Sequence, residues 1–340
     1  MEVEIKLMMI GDVLMHDRVL QSGCADDNTY HFGHLFRNIS DSINNADIRI
    51  VNQETILAGE ELGISGYPRF NSPFELGDAE ANAGFNVILH ATNHALDKGI
   101  RGIDRCINFW ESNHPDVAVL GINASQESTK DIYVYEKEGF RVAILNYTFE
   151  SNIMPIPENK SYLINMFDRD RMRNDIRNAK QIADIVVVCP HWGTEYVNYP
   201  DENQRVWVQF FLEEGVDIVM GTHPHVLQPV EILQGTNDNQ MLVYYSLGNF
   251  ISNQFPMERL IGGMAEITLV KDNTGSYVSA YSLTPVITHK ASGYEGFSSY
   301  KLSDYTDALA DINDIKTIEG CDEFSIKYIN DMCSFIMGTN

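Results

Sequence analysis

Short apolar runs recur along the chain, and each is followed directly by a cluster of polar residues. Several runs are continuously apolar rather than alternating, which is typical of strands covered on both faces. The predicted strands span residues 6–12, 48–54, 85–94, 117–123, 141–150, 183–195, 216–225 and 241–250. Segments of helical character lie between them, at 73–84, 97–113, 168–183 and 201–215. Strands alternating with helices predict an α/β fold.

The pattern changes after about residue 260. Two β-like runs are separated there by DNTG, which predicts a hairpin. The stretch from Ser303 to Asn340 is acidic and has helical character. We therefore predict a main domain of residues 1–300 and a C-terminal helical segment, residues 301–340, packed on the same domain.

Charge narrows the choice of ligands. Lys and Arg total 24 against 48 Asp and Glu, giving a formal net charge of -24. This charge repels polyanions at long range, so nucleic acid is not expected as a partner. An anionic substrate would be repelled too, unless bound cations or local basic residues reverse the sign inside a cleft.

The cysteines and the apolar segments indicate the compartment. Five widely spaced cysteines contain no Cys-x-x-Cys pair, which argues against a disulfide framework or a cysteine zinc site. The N-terminus does not have the layout of a secretory signal. No segment approaches the roughly 20 apolar residues that a membrane span requires. We expect a cytoplasmic protein without a membrane span.

Polar side chains follow the predicted strands at the points where the strands end. Because the carboxyl ends of parallel strands meet at one edge of a sheet, these side chains are expected to share a site. The residues concerned are Asp12, Glu54, Asn93, His94, His191, Glu195, His223, His225 and Asn249.

The residue types in this set are those that bind divalent metals. Carboxylate, amide and imidazole groups without a nearby thiolate suit Mn, Fe or Zn. His223 and His225 flank a proline, and on an extended chain both rings would project to the same side. Two cations at such a site need a bridging carboxylate, for which Glu54 is the candidate.

Six ordered motifs carry a resemblance to a known family. They are IGDVLMH, VNQETIL, ATNHALDKG, CPHWGTEY, GTHPHVLQP and YSLGNF. The chain resembles the bacterial CapA family of poly-gamma-glutamate capsule synthesis proteins, which is related to the calcineurin-like metallophosphoesterases. The resemblance runs from about residue 5 to residue 255 and implies a metallophosphoesterase-like four-layer α-β-β-α sandwich with C-terminal helices.

The resemblance implies that Asp12 and His225 bind one metal ion and that Glu54 bridges two. Two positions depart from the phosphoesterase pattern. Leu14 stands where that pattern has a histidine, with His16 as the candidate replacement ligand. The bridging residue is Glu54 rather than an aspartate.

The resemblance also implies that Asn93, His191 and His223 bind the second metal ion. His94 matches the histidine that donates a proton to the leaving group or steadies the transition state. Glu195 is a second predicted catalytic residue, with three roles left open: orienting His191, binding a metal directly, or capping the next helix.

Four residues have plain structural alternatives. Asp12 could cap a helix or serve a turn after its strand. Arg69, in the loop YPRFNSP, is predicted to bind a substrate carboxylate or phosphate, with a surface salt bridge as the alternative. Asn249 is predicted to bind substrate, with a turn as the alternative, and His16 could be a surface or packing residue.

The leading functional hypothesis is metal-dependent hydrolysis. Water activated by two divalent cations would attack an amide of poly-gamma-glutamate or a related peptide, or a phosphoester. The expected partner is an anionic polymer or a small-molecule substrate. The alternative is a non-catalytic capsule biosynthesis protein that binds polymer or other capsule-synthesis proteins.

Overall fold

The computed structural model describes residues 2–152, 155–236 and 239–338. The α-helices are α1 Asp17–Gly23, α2 Gly33–Phe36, α3 Ser40–Asn44, α4 Phe74–Ala83, α5 Gly99–Asn113, α6 Arg169–Ile182, α7 Glu202–Glu214, α8 Asp307–Asp311 and α9 Ile326–Met337. The strands are β1 Val3–Val13, β2 Ile48–Gln53, β3 Val87–Leu89, β4 Ala118–Leu120, β5 Tyr133–Lys137, β6 Phe140–Thr148, β7 Ile185–His191, β8 Ile218–Met220, β9 Val230–Gln234, β10 Gln240–Tyr244, β11 Asn249–Ile251, β12 Ile261–Lys271, β13 Ser276–Lys290 and β14 Phe297–Lys301. Short 3-10 helices lie at Arg37–Ile39, Glu60–Leu62, Ser128–Lys130, Glu158–Leu163, Met257–Leu260, Leu302–Asp304 and Asp314–Thr317.

The strands form two sheets. The first has the order β14-β13-β12-β1-β2-β3-β4, with β11 also paired to β1, and its strands β1 to β4 run parallel. The second has the order β5-β6-β7-β8-β10-β9, with β6, β7, β8 and β10 parallel. Each sheet therefore gathers several carboxyl strand ends at one edge.

The continuous apolar run of β1 is explained by burial on both of its faces. Leu7 and Met9 point into the core between the two sheets, together with Ile144 and Val187 of the second sheet. Met8, between them, faces the helices that cover the outer side of the first sheet. Alternate side chains thus enter different cores, and both must be apolar.

The second sheet is covered in the same way. Val186 and Val188 of β7 pack against Met172 of α6 and Phe211 of α7. With helices on both outer sides, the layers follow the order α-β-β-α. The four-layer α/β sandwich predicted from the sequence is confirmed.

The two long helices over the second sheet begin at aspartate caps. Asp168 accepts a hydrogen bond from the Arg171 N–H at the start of α6. Asp201 and Gln204 form a reciprocal capping box at the start of α7, which ends at Gly215 in the left-handed conformation. These caps therefore fix where the two helices that cover the outer side of the second sheet begin, and Gly215 fixes where α7 ends.

The C-terminal helices pack on the edge of the first sheet. Their apolar side chains, including Ile315, Phe324 and Ile329, form a cluster with Leu260 and Ile287. Residues 339 and 340 of the predicted helical segment lie outside the described residues. The domain boundary at residue 300 stays a prediction.

The main differences from the predicted elements lie at the carboxyl ends of strands. The predicted strand 85–94 is regular only over Val87–Leu89, and 216–225 only over Ile218–Met220. The run 241–250 is divided into β10 and β11, with Gly248 between them at φ 61°. In each case the backbone turns away from the sheet because it forms a loop of the candidate site.

Three short helices between residues 17 and 44 and the strands β5, β9 and β14 were not predicted. All five cysteines are free. Among the helices of the described residues, none has the length and apolar character needed to cross a bilayer.

Candidate metal centre

The carboxyl ends of strands from both sheets meet at one place. Asp12 lies at the end of β1, and Glu54 follows β2 directly. On the second sheet, His191 is the last residue of β7, while His223 and His225 lie in the loop after β8. The residues that the sequence assigned to one site therefore come from two facing sheets.

A close backbone contact places Asp12. A Cβ at Gly11 would lie 1.9 Å from the Gly248 carbonyl oxygen, so only glycine allows this approach. The Asp12 N–H donates to that same oxygen at 2.9 Å, and Asp12 pairs in register with Asn249. The motifs IGDVLMH and YSLGNF are thus adjacent in space.

Asp12, Glu54 and His225 form the first of two buried groups that could hold a metal ion, with ligand atoms within 4.8 Å of one another. His225 Nδ1 lies 3.1 Å from both Asp12 Oδ2 and Asn249 Oδ1, which places its proton on Nδ1. The unprotonated Nε2 then faces Glu54 Oε1 at 3.7 Å. Asp12 is further held by Asn52, whose Nδ2 donates to its Oδ1 at 2.8 Å.

Glu54, His191 and His223 form the second group. His191 Nε2 lies 3.2 Å from His223 Nδ1, 2.9 Å from Asn93 Oδ1 and 3.7 Å from Glu54 Oε1. Its Nδ1 contacts Thr222 Oγ1 at 3.0 Å, which orients the ring. Glu54 is common to both groups, so a carboxylate stands between two sets of ligand atoms.

The loop carrying His223 and His225 is not extended. Both residues have positive φ, 99° and 60°, which corrects the strand-like geometry considered for this segment. Among the described residues, six non-glycine residues have positive φ, and three of them are His223, His225 and Tyr196. A positive φ costs a non-glycine residue conformational energy, and residues with this backbone conformation are concentrated at functional sites. Here it turns His223 toward His191 and His225 toward Asp12.

Several buried polar atoms at the centre have no hydrogen-bond partner in the described part of the chain. They are both carboxylate oxygens of Glu54, Oδ1 of Asn52 and Nδ2 of Asn93. Burial, and then the charge of Asp12, raise the pKa of Glu54 well above its usual value. Buried acceptors are normally satisfied, so these oxygens indicate a place for a cation.

The histidines are suited to the same role. Burial and the neighbouring His225 lower the pKa of His223 to about 3, and burial likewise lowers the pKa of His191. Both rings are therefore neutral near pH 7, which is the form that binds metals. Carboxylate, amide and imidazole groups together fit Mn, Fe or Zn.

His94 lies beside this centre and is oriented by Asp97. Its Nδ1 is 2.8 Å from Asp97 Oδ2, and the same carboxylate oxygen accepts from the Phe70 N–H at 2.8 Å. The Phe70 ring packs edge-on against His94, with ring centroids 4.7 Å apart. His94 Nε2 lies 3.4 Å from Asn152 Nδ2 on the other side.

Glu195 lies on the open side of the centre. Its carboxylate forms a third group with His223 and His225, and it is the one exposed member of the three groups. Capping the next helix is excluded, because Asp201 caps α7. The group it joins does not include His191, which is oriented by Thr222 instead.

A small cavity of 130 Å³ opens beside the His191 and His223 rings, and Glu150 and Trp207 also line it. Glu150 Oε1 lies 3.7 Å from His223 Nε2, and its side chain is 55% exposed. A group bound in this cavity would touch the second set of ligand atoms and water at the same time.

The surroundings of three further predicted site residues, His16, Asn249 and Arg69, bear on their roles, which stay predictions. The Nδ1 of His16 accepts from the Asn253 N–H at 3.3 Å, and His16 belongs to none of the three groups, although burial and then His225 lower its pKa to about 3. Asn249 is fully buried against His225, a placement that favours positioning that ring over contact with substrate. Arg69 is exposed in the loop anchored by Phe70, and no ion pair of Arg69 is found among the described residues.

Two contributors were missed. Asn52 lies in the motif VNQETIL, where only Glu54 was considered, and its register pairing with Asp12 makes it part of the site. Glu150 ends the run RVAILNYTFE and could have been found by the same rule that selected the other residues after strands.

The family model for the bacterial capsule synthesis protein PGA_cap matches residues 6–254. The PGA biosynthesis protein CapA of Bacillus subtilis is 32% identical over 207 residues, covering 61% of this chain and 52% of that protein. The capsule biosynthesis protein CapA of Bacillus anthracis is 29% identical over 263 residues, covering 74% of this chain and 60% of that protein. The chain thus spans between half and three fifths of these relatives.

Solved structures share the fold at low identity. A Staphylococcus aureus protein assigned as a 5'-nucleotidase has a TM-score of 0.52 at 18% identity, covering 83% of this chain and 54% of that chain. The NAD nucleotidase of Haemophilus influenzae has a TM-score of 0.50 at 9% identity, covering 98% of this chain and 60% of that chain. These likenesses bear on the fold alone.

Proposed function

The chain belongs to the bacterial capsule synthesis family PGA_cap, and we propose that it acts there as a metal-dependent hydrolase. The observation that carries the proposal is Glu54. Its carboxylate is fully buried, has no donor among the described residues, and is common to two groups of ligand atoms. A buried carboxylate in this state is stabilised best by cations.

In this proposal Asp12, Glu54 and His225 hold one divalent ion, and Glu54, His191 and His223 hold a second with Asn93. Bound Mn, Fe or Zn would lower the pKa of a water molecule and polarise the scissile bond. The ions would also supply positive charge in a chain whose net charge is -24, which an anionic substrate requires.

His94 is the proposed proton donor to the leaving group. Asp97 accepts from Nδ1 and so fixes the ring, leaving Nε2 toward the site; donation from Nε2 requires protons on both ring nitrogens, and the Asp97 carboxylate would balance that charge. Asn152 at 3.4 Å from Nε2 marks the side from which a substrate atom would approach. The arrangement resembles other sites in which a buried carboxylate orients a catalytic histidine.

The proposed substrate is an amide of poly-gamma-glutamate or a related peptide, or a phosphoester. The amide is supported by the Bacillus subtilis relative, which is named a PGA biosynthesis protein. Arg69 is exposed in the loop whose next residue, Phe70, packs against His94, and it is the proposed contact for a substrate carboxylate or phosphate.

The experiment is a hydrolysis assay with added Mn, using poly-gamma-glutamate and a chromogenic phosphodiester. His191→Ala and His225→Ala are expected to abolish turnover, because each removes a proposed ligand. His34→Ala is the matched control, since His34 is also buried, but it contacts Ser22 and belongs to none of the three ligand groups. Turnover that survives both ligand substitutions unchanged would contradict the mechanism.

The metal content of the same preparations decides between the two roles considered for this family. Fewer than one Mn, Fe or Zn per chain after loading, with no turnover, would favour a non-catalytic protein that binds polymer or capsule-synthesis partners. The observation that favours this second role is Leu14, which stands where the phosphoesterase pattern has a histidine.

A further inference from the structure

The two buried ligand groups differ in how completely the described side chains surround them. The second group has Asn93 beside Glu54, His191 and His223. The first group consists of Asp12, Glu54 and His225, and the two amides beside it, Asn52 and Asn249, hold Asp12 and the Nδ1 side of His225. Leu14, two residues after Asp12, is buried and its side chain offers no ligand atom.

Glu195 is the carboxylate that approaches the first group from the solvent side. Its ligand atom lies within 4.8 Å of those of His225, a member of the first group, and of His223, a member of the second group, which already has Asn93. Unlike the other members, which are buried, Glu195 is only partly covered, so its carboxylate can shift toward an ion without breaking buried contacts.

The neighbouring residue holds Glu195 in this place. Tyr196 has φ 67°, and its N–H donates to the Pro224 carbonyl at 2.8 Å, which ties the segment to the loop between His223 and His225. Burial and then a hydrogen bond with the Glu195 carboxylate raise the pKa of the Tyr196 hydroxyl.

The ring of Tyr196 is itself fixed from both sides. The guanidinium of Arg259 lies 3.3 Å from its centroid, and the His225 ring lies 5.9 Å away on a tilted plane. The Arg259 carbonyl accepts from Asn249 Nδ2, and Asn249 contacts His225. Glu195 is thus linked through ordered groups to the histidine of the first group.

We propose that Glu195 is a metal ligand that completes the first group from the solvent side, with Tyr196 as its positioning residue. This inference rests on the proposed function, because it requires that the centre hold cations. It gives Glu195 a role in binding metal rather than in proton transfer. It also explains how the site functions with Leu14 in place of a histidine.

The test is Mn binding to the metal-free full chain, measured by calorimetry and by the electron paramagnetic resonance of free Mn. Wild type is expected to bind two Mn. Glu195→Gln should keep one site unchanged and weaken the other about tenfold or more, as loss of a ligand or its support does. Tyr196→Phe should weaken the same site by a smaller factor.

Glu202→Gln is the matched control, because Glu202 is a solvent-accessible glutamate at the start of α7 that belongs to none of the groups. Two wild-type affinities in Glu195→Gln would overturn the inference, as would a loss seen with Glu150→Gln and not with Glu195→Gln. Failure of the proposed function looks different: wild type itself would then bind no Mn.

Discussion

Replacing Glu54 by glutamine should change stability in opposite directions with and without metal. Glu54 is fully buried, and neither carboxylate oxygen has a donor among the described residues. Without a cation, its charge is opposed by burial and by Asp12, which raise its pKa. Glutamine removes the charge at nearly the same volume, so the metal-free protein should become more stable. With metal, the same change removes the carboxylate common to both groups.

The size of the effect follows from the cost of a buried, unpaired charge. That cost reaches several kcal/mol, but protonation and the remaining unsatisfied amide limit the gain from glutamine to about 2 kcal/mol. For a chain of 340 residues, the unfolding entropy of roughly 2 cal/mol/K per residue converts this into a rise in Tm of about 3 °C. Each bound metal ion, at about a thousand times its Kd, would contribute some 4 kcal/mol and so raise the wild-type Tm by about 6 °C per ion.

The assay is thermal unfolding at pH 7.5 in a chelator and in excess Mn. Glu54→Gln should unfold at a higher temperature than wild type in the chelator and at a lower temperature in Mn. Glu80→Gln is the control, because Glu80 is also fully buried with both oxygens unpartnered and a raised pKa, but lies outside the site. Glu80→Gln should raise Tm equally in both conditions. The reasoning is refuted if Glu54→Gln behaves like Glu80→Gln.

Three further predictions concern catalysis, pH and a helix cap. Asp97→Asn should lower turnover about 10- to 100-fold by releasing the His94 ring while Mn binding stays unchanged, and a wild-type rate would count against the orientation role. Burial raises the pKa of Asp217 to about 6, so ionising this carboxyl group in the folded protein costs free energy. Stability is therefore lost as pH rises from about 4 through 6. Asp217→Asn should therefore gain about 1 to 2 kcal/mol over wild type at pH 8 and little at pH 4.5 in urea unfolding, whereas a pH-independent difference would disprove this. Asp201→Ala should lower the free energy of unfolding by about 1 kcal/mol through loss of the α7 cap, and an unchanged urea midpoint would argue against it.

The strands were predictable from sequence because a strand that is buried on both faces has a continuous run of apolar residues. Leu7, Met8 and Met9 enter two different cores, so three successive positions must be apolar. The polar residues directly after such runs could be selected by one rule, that carboxyl strand ends meet. This rule predicts from the sequence alone that Asp12 and Glu54 are neighbours.

The finer geometry depends on contacts that the sequence does not display. Asn52 joins the site only because β1 and β2 pair in the register that sets it against Asp12. The left-handed backbone at His223 and His225 replaces the extended geometry that the His-Pro-His spacing suggested. His16 lies beyond the end of β1, where α1 begins, and its ring contacts Asn253 and not the ligand groups.

The central claim is that two cations share the carboxylate of Glu54. Anomalous diffraction at the Mn absorption edge, from crystals soaked in Mn, tests it most directly. Two peaks are predicted, one contacting Asp12, Glu54 and His225 and the other contacting Glu54, His191 and His223. An absence of peaks at this centre in fully soaked crystals, or peaks that do not contact Glu54, would contradict the account.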